Sequence, residues 1–250
     1  MDLNARTDEA LVAATVLILQ PRREFTAVNL RKLVIFLAAA LASGTLAAHA
    51  SDNAAMDSDI ANLEHEWAHI KYQVLAKDDQ LKQMDALAKT AEAVVARYPG
   101  RAETIVWDGI ITSTEAGMAG PLSALGLAKK SRAMFEAAGK IDPSVLDAAV
   151  PTSLGSLYYL VPGFPLGFGD NSKARVYLEQ AIKVSPDGMD SNFFYGDFLF
   201  RQGEYDKSRQ VLTHALATPP NPNRPVWDAG RRNEIKAILG KIDQKLASSH

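Results

Sequence analysis

From Asp57 onward, apolar residues recur every three or four positions, and no stretch alternates apolar with polar residues as a half-buried strand would. The pattern predicts an all-α chain with helices at 57–77, 79–97, 102–118, 121–140, 170–184, 189–202, 204–217 and 226–246. The stops between them are legible. Tyr98 to Gly100, Ile141 to Pro143, Ser185 to Gly188 and Thr218 to Pro225 each combine proline with turn formers where a helix must end. On the first of these helices Ile60, Leu63, Trp67, Ile70 and Val74 fall on one apolar stripe, and His65 and His69 fall nearly opposite it, facing water.

Three of the stops are preceded by similar text: Ala128 to Pro143, Asn171 to Pro186 and Tyr205 to Pro220. In each, a small residue (Ser131, Ala174, Ser208) is followed four later by a large apolar one (Phe135, Leu178, Leu212). Three later comes alanine (Ala138, Ala181, Ala215), and five later proline. Small side chains let a neighbouring helix approach closely, and the large residue between them fills the gap. Pro186 and Pro220 are 34 residues apart, Pro143 and Pro186 are 43 apart, and the nine extra residues are expected within Ser144 to Leu157.

This text resembles the second helix of the tetratricopeptide repeat, most closely in the last unit, where Gly196 takes the small position of the first helix, Gly203 the inter-helix turn and Tyr205 the start of the second helix. The middle unit departs from the pattern, with Pro162 standing where a small residue belongs. The resemblance implies a short helical-repeat solenoid over 112–220, with extra helices before it and a capping helix at 226–246. It also implies a concave groove lined by first-helix positions. These are Asp190, Phe193, Asp197, Phe200 and Arg201 in the last unit, Tyr159 in the middle one, and Ser113, Ala116 and Ser123 in the first. A protein or peptide partner is the implied occupant. The competing expectation is that Phe193 and Phe200 pack under the capping helix through Trp227, Ile235, Ile238 and Leu239.

Between Leu157 and Asp170 lies an aromatic, proline-rich link. Apolar loops are seldom left in water, so Tyr158, Phe164 and Phe168 are expected either to plug the interfaces between repeats or to line a cleft for a hydrophobic ligand. A shorter resemblance, carried by Gly169, Asp170, Lys173 and Ala174, is to the periplasmic T-component proteins of tripartite ATP-independent transporters, and it implies a carrier of a hydrophobic small molecule. Gly167 and Gly169 precede a helix, yet no strand comes before them and no P-loop lysine follows, so a turn against the core is expected there in place of a phosphate cradle.

Composition narrows the classes further. A net charge of −2 offers no field for a nucleic-acid backbone, and the absence of cysteine removes disulfides, thiolate metal sites and lipidated cysteine. Arg31 and Lys32 precede the apolar run Leu33 to Ala42, which ends in small residues at Ala48 to Ala50. That is the layout of a secretory signal peptide over 28–50, cleaved before Ser51, with residues 1–27 ahead of the true start. The expected destination is the periplasm. If the segment stays uncleaved, it is the one expected contact with a membrane. The remaining 51–250 is expected to form one helical domain carrying 22 Lys+Arg against 25 Asp+Glu.

His65-Glu66-x-x-His69 has the spacing of a zinc protease helix. A catalytic zinc needs a third protein ligand, and the downstream G-x-x-H is missing, while Glu92 sits in an ordinary amphipathic helix. No G-x-S-x-G or cysteine nucleophile is present either. A non-enzymatic protein with no catalytic residues, no metal and no cofactor is expected.

Overall fold

The computed structural model describes residues 52–248. The predicted leader, its cleavage site before Ser51 and the proposed start near residue 28 lie outside the described residues. Among the described residues the chain is helical throughout: α1 (52–73), α2 (Lys77–Arg97), α3 (Ala102–Met118), α4 (Pro121–Ile141), α5 (Ala149–Leu160), α6 (Asn171–Val184), α7 (Met189–Arg201), α8 (Tyr205–Ala217) and α9 (Pro225–Ala247). No helix there is long and apolar enough to cross a membrane.

Local chemistry sets the ends. Pro121 and Pro225 open α4 and α9, where a missing N–H costs nothing. Asp170 caps α6 by accepting hydrogen bonds from the backbone N–H groups of Ser172 and Lys173. Gly203, at φ +79°, takes the left-handed turn that lets α8 fold back on α7.

The helices pair as hairpins α3/α4, α5/α6 and α7/α8, with the first helices α3, α5 and α7 side by side. The register read from the sequence is the register of the core. Ser131, Phe135, Ala138, Ala174, Leu178, Ala181, Ser208, Leu212 and Ala215 are all fully buried. Each large residue packs on a glycine of the preceding helix. A Cβ added at Gly109 would stand 2.7 Å from Phe135, one at Gly155 2.6 Å from Leu178, and one at Gly196 2.5 Å from Leu212. In two units the small residue also closes the hairpin. Ser131 Oγ donates to the Gly109 carbonyl at 2.9 Å, and Ser208 Oγ to the Gly196 carbonyl at 2.7 Å.

Two expectations need correction. The segment expected to be an insertion and a link contains α5, the first helix of the middle unit. Its text is poor in helix formers, with Pro151, Gly155 and several hydroxyl residues, so tertiary burial of Val150, Leu154, Leu157 and Tyr158 holds it in place of intrinsic propensity. Gly155, and not Pro162, therefore takes the small position. The extra residues accordingly sit mainly in the α5–α6 loop: Gly155 and Ala174 are 19 apart where Gly196 and Ser208 are 12 apart. At the other site, α1 ends at residue 73, so Val74 falls just past the helix it was expected to complete.

The aromatic loop folds back on itself. Gly169 N–H donates to the Pro162 carbonyl at 2.9 Å and Asp170 N–H to the Tyr158 carbonyl at 2.7 Å. A side chain at Gly167 would meet that Pro162 carbonyl at 2.5 Å, so glycine there serves the crossing of backbone over backbone.

Candidate functional site

The first helices turn one face toward a half-enclosed cavity of about 460 Å³. Ser113 and Thr114 reach it from α3, Thr152 and Ser156 from α5, and Asp190 and Phe194 from α7. An open solenoid would leave this face to solvent. Here α1 and α9 lie across it, contributing Glu64, Trp67 and Lys71 from one side and Arg224, Trp227 and Arg231 from the other.

The two terminal helices meet through charge and packing. Arg231, which is 2% exposed, donates from Nε to Asp190 Oδ1 at 2.7 Å and from Nη1 to Glu234 Oε2 at 2.5 Å. Its guanidinium carbon lies 4.1 Å from the Phe193 ring centre and 5.0 Å from that of Phe194. Glu234 also accepts from Tyr72 Oη at 3.1 Å and pairs with Lys71 Nζ at 3.1 Å. Arg224 pairs with Glu64, and His65 Nε2 lies 3.2 Å from the Asn223 carbonyl. Trp67 joins α1 to α3: its Nε1 donates to Thr114 Oγ1 at 2.9 Å, and its ring meets Trp107 edge to face at 6.1 Å.

Burial and mutual repulsion tune these cations. Desolvation and then the Arg231 charge lower the Lys71 ammonium to about 8, against partial support from Glu234. Desolvation and Arg231 likewise bring Arg224 down to about 10. Burial would lower Arg231, but Asp190, Tyr72 and Glu234 together hold it above its ordinary value.

The groove residues expected from the repeat pattern do not all share one surface. Tyr159, Asp197 and Arg201 form a cluster at one end: Tyr159 Oη donates to Asp197 Oδ2 at 2.8 Å, Arg201 Nε donates to the same oxygen at 2.9 Å, and the Arg201 guanidinium lies over the Tyr159 ring. Phe200 packs on Tyr205 at 5.8 Å. Arg231 pairs with Asp190, which still reaches the cavity, and lies over the Phe193 ring, which is 8% exposed and belongs to the core with Trp227, Ile235 and Ile238. In the first unit Ser113 reaches the cavity and Ala116 packs against the neighbouring core. Ser123 falls in the first turn of α4, away from the first helix.

Tyr158, Phe164 and Phe168 do not converge on one cleft. Tyr158 and Phe168 pack edge to face at 5.7 Å with Arg132 over the Phe168 ring at 4.4 Å, whereas Phe164 is 94% exposed. His65, Glu66 and His69 all lie on the exposed face of α1, and His69 Nδ1 is 2.8 Å from Gln73 Oε1. Among the described residues no three potential metal ligands of the His, Cys, Asp and Glu types converge.

The pattern alone missed the cavity lining from outside the repeats: Glu64, Lys71, Arg224 and Arg231. A repeat register speaks for repeats and is silent on helices that fold across them. One signal was present, since α9 carries Arg231 and Arg232 among its apolar residues, more charge than a cap facing only the last repeat requires.

Residues 166–232 match the family model of the tetratricopeptide repeat. That span contains α6, α7, α8 and the start of α9. No curated protein matches. Among solved structures the chain is similar to a thermophilic tetratricopeptide-repeat protein of Thermus thermophilus, with 21% identity, 65% of this chain and 82% of that one covered, and a TM-score of 0.46. It is similar also to MamA, at 16% identity, with 70% and 97% covered and a TM-score of 0.40. A third is YrrB, described as a tetratricopeptide-repeat protein with an unusual peptide-binding site, at 15% identity, with 66% and 78% covered and a TM-score of 0.37.

Proposed function

We propose that this chain is an exported, non-enzymatic helical-repeat adaptor, working in the periplasm, that holds a short segment of a partner protein in the cavity between its first helices and its two terminal helices. The observation that carries the reading is the lining. Ser113 and Thr114 of one repeat and Thr152 and Ser156 of the next share a space of about 460 Å³ with the indole rings of Trp67 and Trp227. That volume lies in the range of ligand sites, roughly 300–1,000 Å³, and pairs apolar surface with a few placed polar groups. Ser113 and Ser156 donate their hydroxyl hydrogens to carbonyls of their own helices and keep oxygens that can accept from peptide N–H groups, while the indoles add apolar surface. The cluster of Tyr159, Asp197 and Arg201 lies outside that lining, with Asp197 and Arg201 carried by α7, the helix that brings Asp190 and Phe194 to the cavity. The match to the tetratricopeptide repeat over 166–232 supports the adaptor reading, and the layout of residues 28–50 supports export.

The test is site-specific photocrosslinking in cells. A benzophenone amino acid at Ser153, on the cavity wall, should capture a discrete partner, while one at Val176, which is 66% exposed on α6, should not. Equal capture at both positions, or none at Ser153, would overturn the reading. Fractionation followed by N-terminal sequencing should give a periplasmic product that starts at or near Ser51; a full-length product in the membrane fraction would refute export by cleavage.

A further inference from the structure

At one end of the cavity the chain binds its own arginine. Arg224 lies on the linker between α8 and α9, residues 218–224, which carries Pro219, Pro220 and Pro222 and is not helical. Its guanidinium carbon stands 4.1 Å from the ring centre of Trp227 and 5.9 Å from that of Trp107, and it pairs with the Glu64 carboxylate of α1. Two indole faces and one carboxylate make the environment that recognises a planar cation. The side chains of Arg224 and Glu64 are 24% and 16% exposed, so this is an enclosed pair and not a surface one.

The placement of that side chain is informative. Glu64, Arg224 and Trp227 line the 460 Å³ cavity and also a second cavity of about 290 Å³ on the other side, toward Ala68 and Val226. Arg224 thus borders both cavities, together with Glu64 and Trp227. Trp227, 7% exposed, has an indole N–H with no acceptor among the described residues. The linker does not depend on Arg224 for its position. Arg232 donates to the carbonyls of Leu216 and Thr218 at 2.9 and 2.7 Å, and Asn221 N–H donates to Asp228 Oδ1 at 3.2 Å. Burial, with Arg231 nearby, lowers the Arg224 guanidinium to about 10, which leaves it charged at neutral pH.

We infer that the pocket formed by Glu64, Trp107 and Trp227 is a recognition site for an arginine side chain of the partner segment, and that Arg224 fills it when no partner is present. The inference rests on the adaptor reading above and names the chemistry of its occupant. An incoming cation replaces Arg224 like for like against the same carboxylate, and the displaced linker side chain returns to water.

The test uses the mature chain with Arg224→Ala and the probe N-acetyl-arginine amide, followed by tryptophan fluorescence and calorimetry. The variant should bind the probe about tenfold or more tightly than the wild type, as vacating a cation–π and carboxylate site implies. N-acetyl-citrulline amide, neutral and of the same shape, should not bind. Adding Glu64→Gln to Arg224→Ala should abolish the gain. A folded Arg224→Ala chain that binds the arginine probe no better than the wild type, or binds citrulline equally well, would overturn the inference. Should Arg224→Ala fail to fold, Arg224→Asn, short enough to vacate the pocket and favoured at the N-cap position this residue holds on α9, is judged by the same outcomes. Loss of crosslinked partner at Ser153 with arginine binding intact would count against the adaptor reading alone, and the converse against this inference alone.

Discussion

Gly155 of α5 lies directly under Leu178 of α6, so close that a Cβ on the glycine would stand 2.6 Å from Leu178 Cγ. The same pairing of glycine with a large residue holds the hairpins at Gly109 and Phe135 and at Gly196 and Leu212. Gly155→Val is therefore expected to destabilise the chain by roughly 1–3 kcal/mol through overpacking, read from urea melts followed by circular dichroism. Leu178→Ala in the same chain should return part of that loss, because the two changes act on one contact. A Gly155→Val chain as stable as the wild type would mean that α5 does not meet α6 in this register.

That pairing also marks what the sequence could and could not reveal. The second helices were legible because their register rests on a repeated chemical need, a small residue beneath a large one, and Ser131, Ala174 and Ser208 all prove fully buried. The middle first helix was illegible. Pro151 and Gly155 argue locally against a helix, and what overrides them is burial against α6, a contact between residues about twenty apart in the chain that no local window contains. The candidate site was half legible for a related reason. Ser113, Asp190 and the Tyr159–Asp197–Arg201 cluster follow from the repeat register, whereas Glu64, Arg224 and Arg231 enter through helices that fold across the groove from the two ends of the described chain.

The aromatic loop offers a contrast between two nearby rings. Phe164 is 94% exposed, so Phe164→Ser should change stability by no more than about 0.5 kcal/mol. Tyr158 is 7% exposed, stacked on Tyr177 at 5.7 Å and packed against Phe168, and Tyr158→Ala should cost roughly 3 kcal/mol or more. Thermal melts of the two variants side by side would check this, and equal effects would refute the assigned burial.

Asp108 gives a pH dependence with a definite sign. It is 4% exposed, its one side-chain hydrogen bond is a 3.4 Å contact from Thr112, and burial, with Glu92 adding to it and Lys130 opposing it, raises its carboxyl from 3.8 to about 6. The folded state then holds this proton more tightly than the unfolded state does. Its contribution to stability is fully present below about pH 4 and is lost as pH rises through about 6. Asp108→Asn removes the ionisation, so it should match the wild type near pH 3.5 and exceed it by about 2 kcal/mol at pH 7. Denaturant melts across that range would show the difference opening between pH 4 and 6; a constant difference would mean that Asp108 does not titrate as described.

The closure of the groove is testable without touching a charge. Gly230 of α9 lies against the ring of Tyr72 in α1, and any side chain there would run into that ring. On the same two helices Glu234 accepts from Tyr72 and pairs with Lys71 and Arg231, so the charged contacts form only if the glycine permits the approach. Gly230→Leu should therefore part α1 from α9 while leaving Gly155, Gly196 and their partners as they are. Expected first is a loss on the order of 1–3 kcal/mol from overpacking. Expected second is faster amide hydrogen exchange in residues 52–73, with protection in α6 and α8 unchanged, since local opening involves the elements whose contacts have been broken. Glu234→Ala breaks the same junction by a different route. It leaves Arg231, 3% exposed in its side chain, with Asp190 alone and Lys71 without its carboxylate, and a loss of roughly 1–3 kcal/mol is expected, because Arg231 keeps one carboxylate and Glu234 is itself one-third exposed. If both variants speed exchange in 52–73, the terminal helices close the groove together. If exchange instead rises uniformly across the chain, the junction is part of one cooperative core and does not open as a separate element.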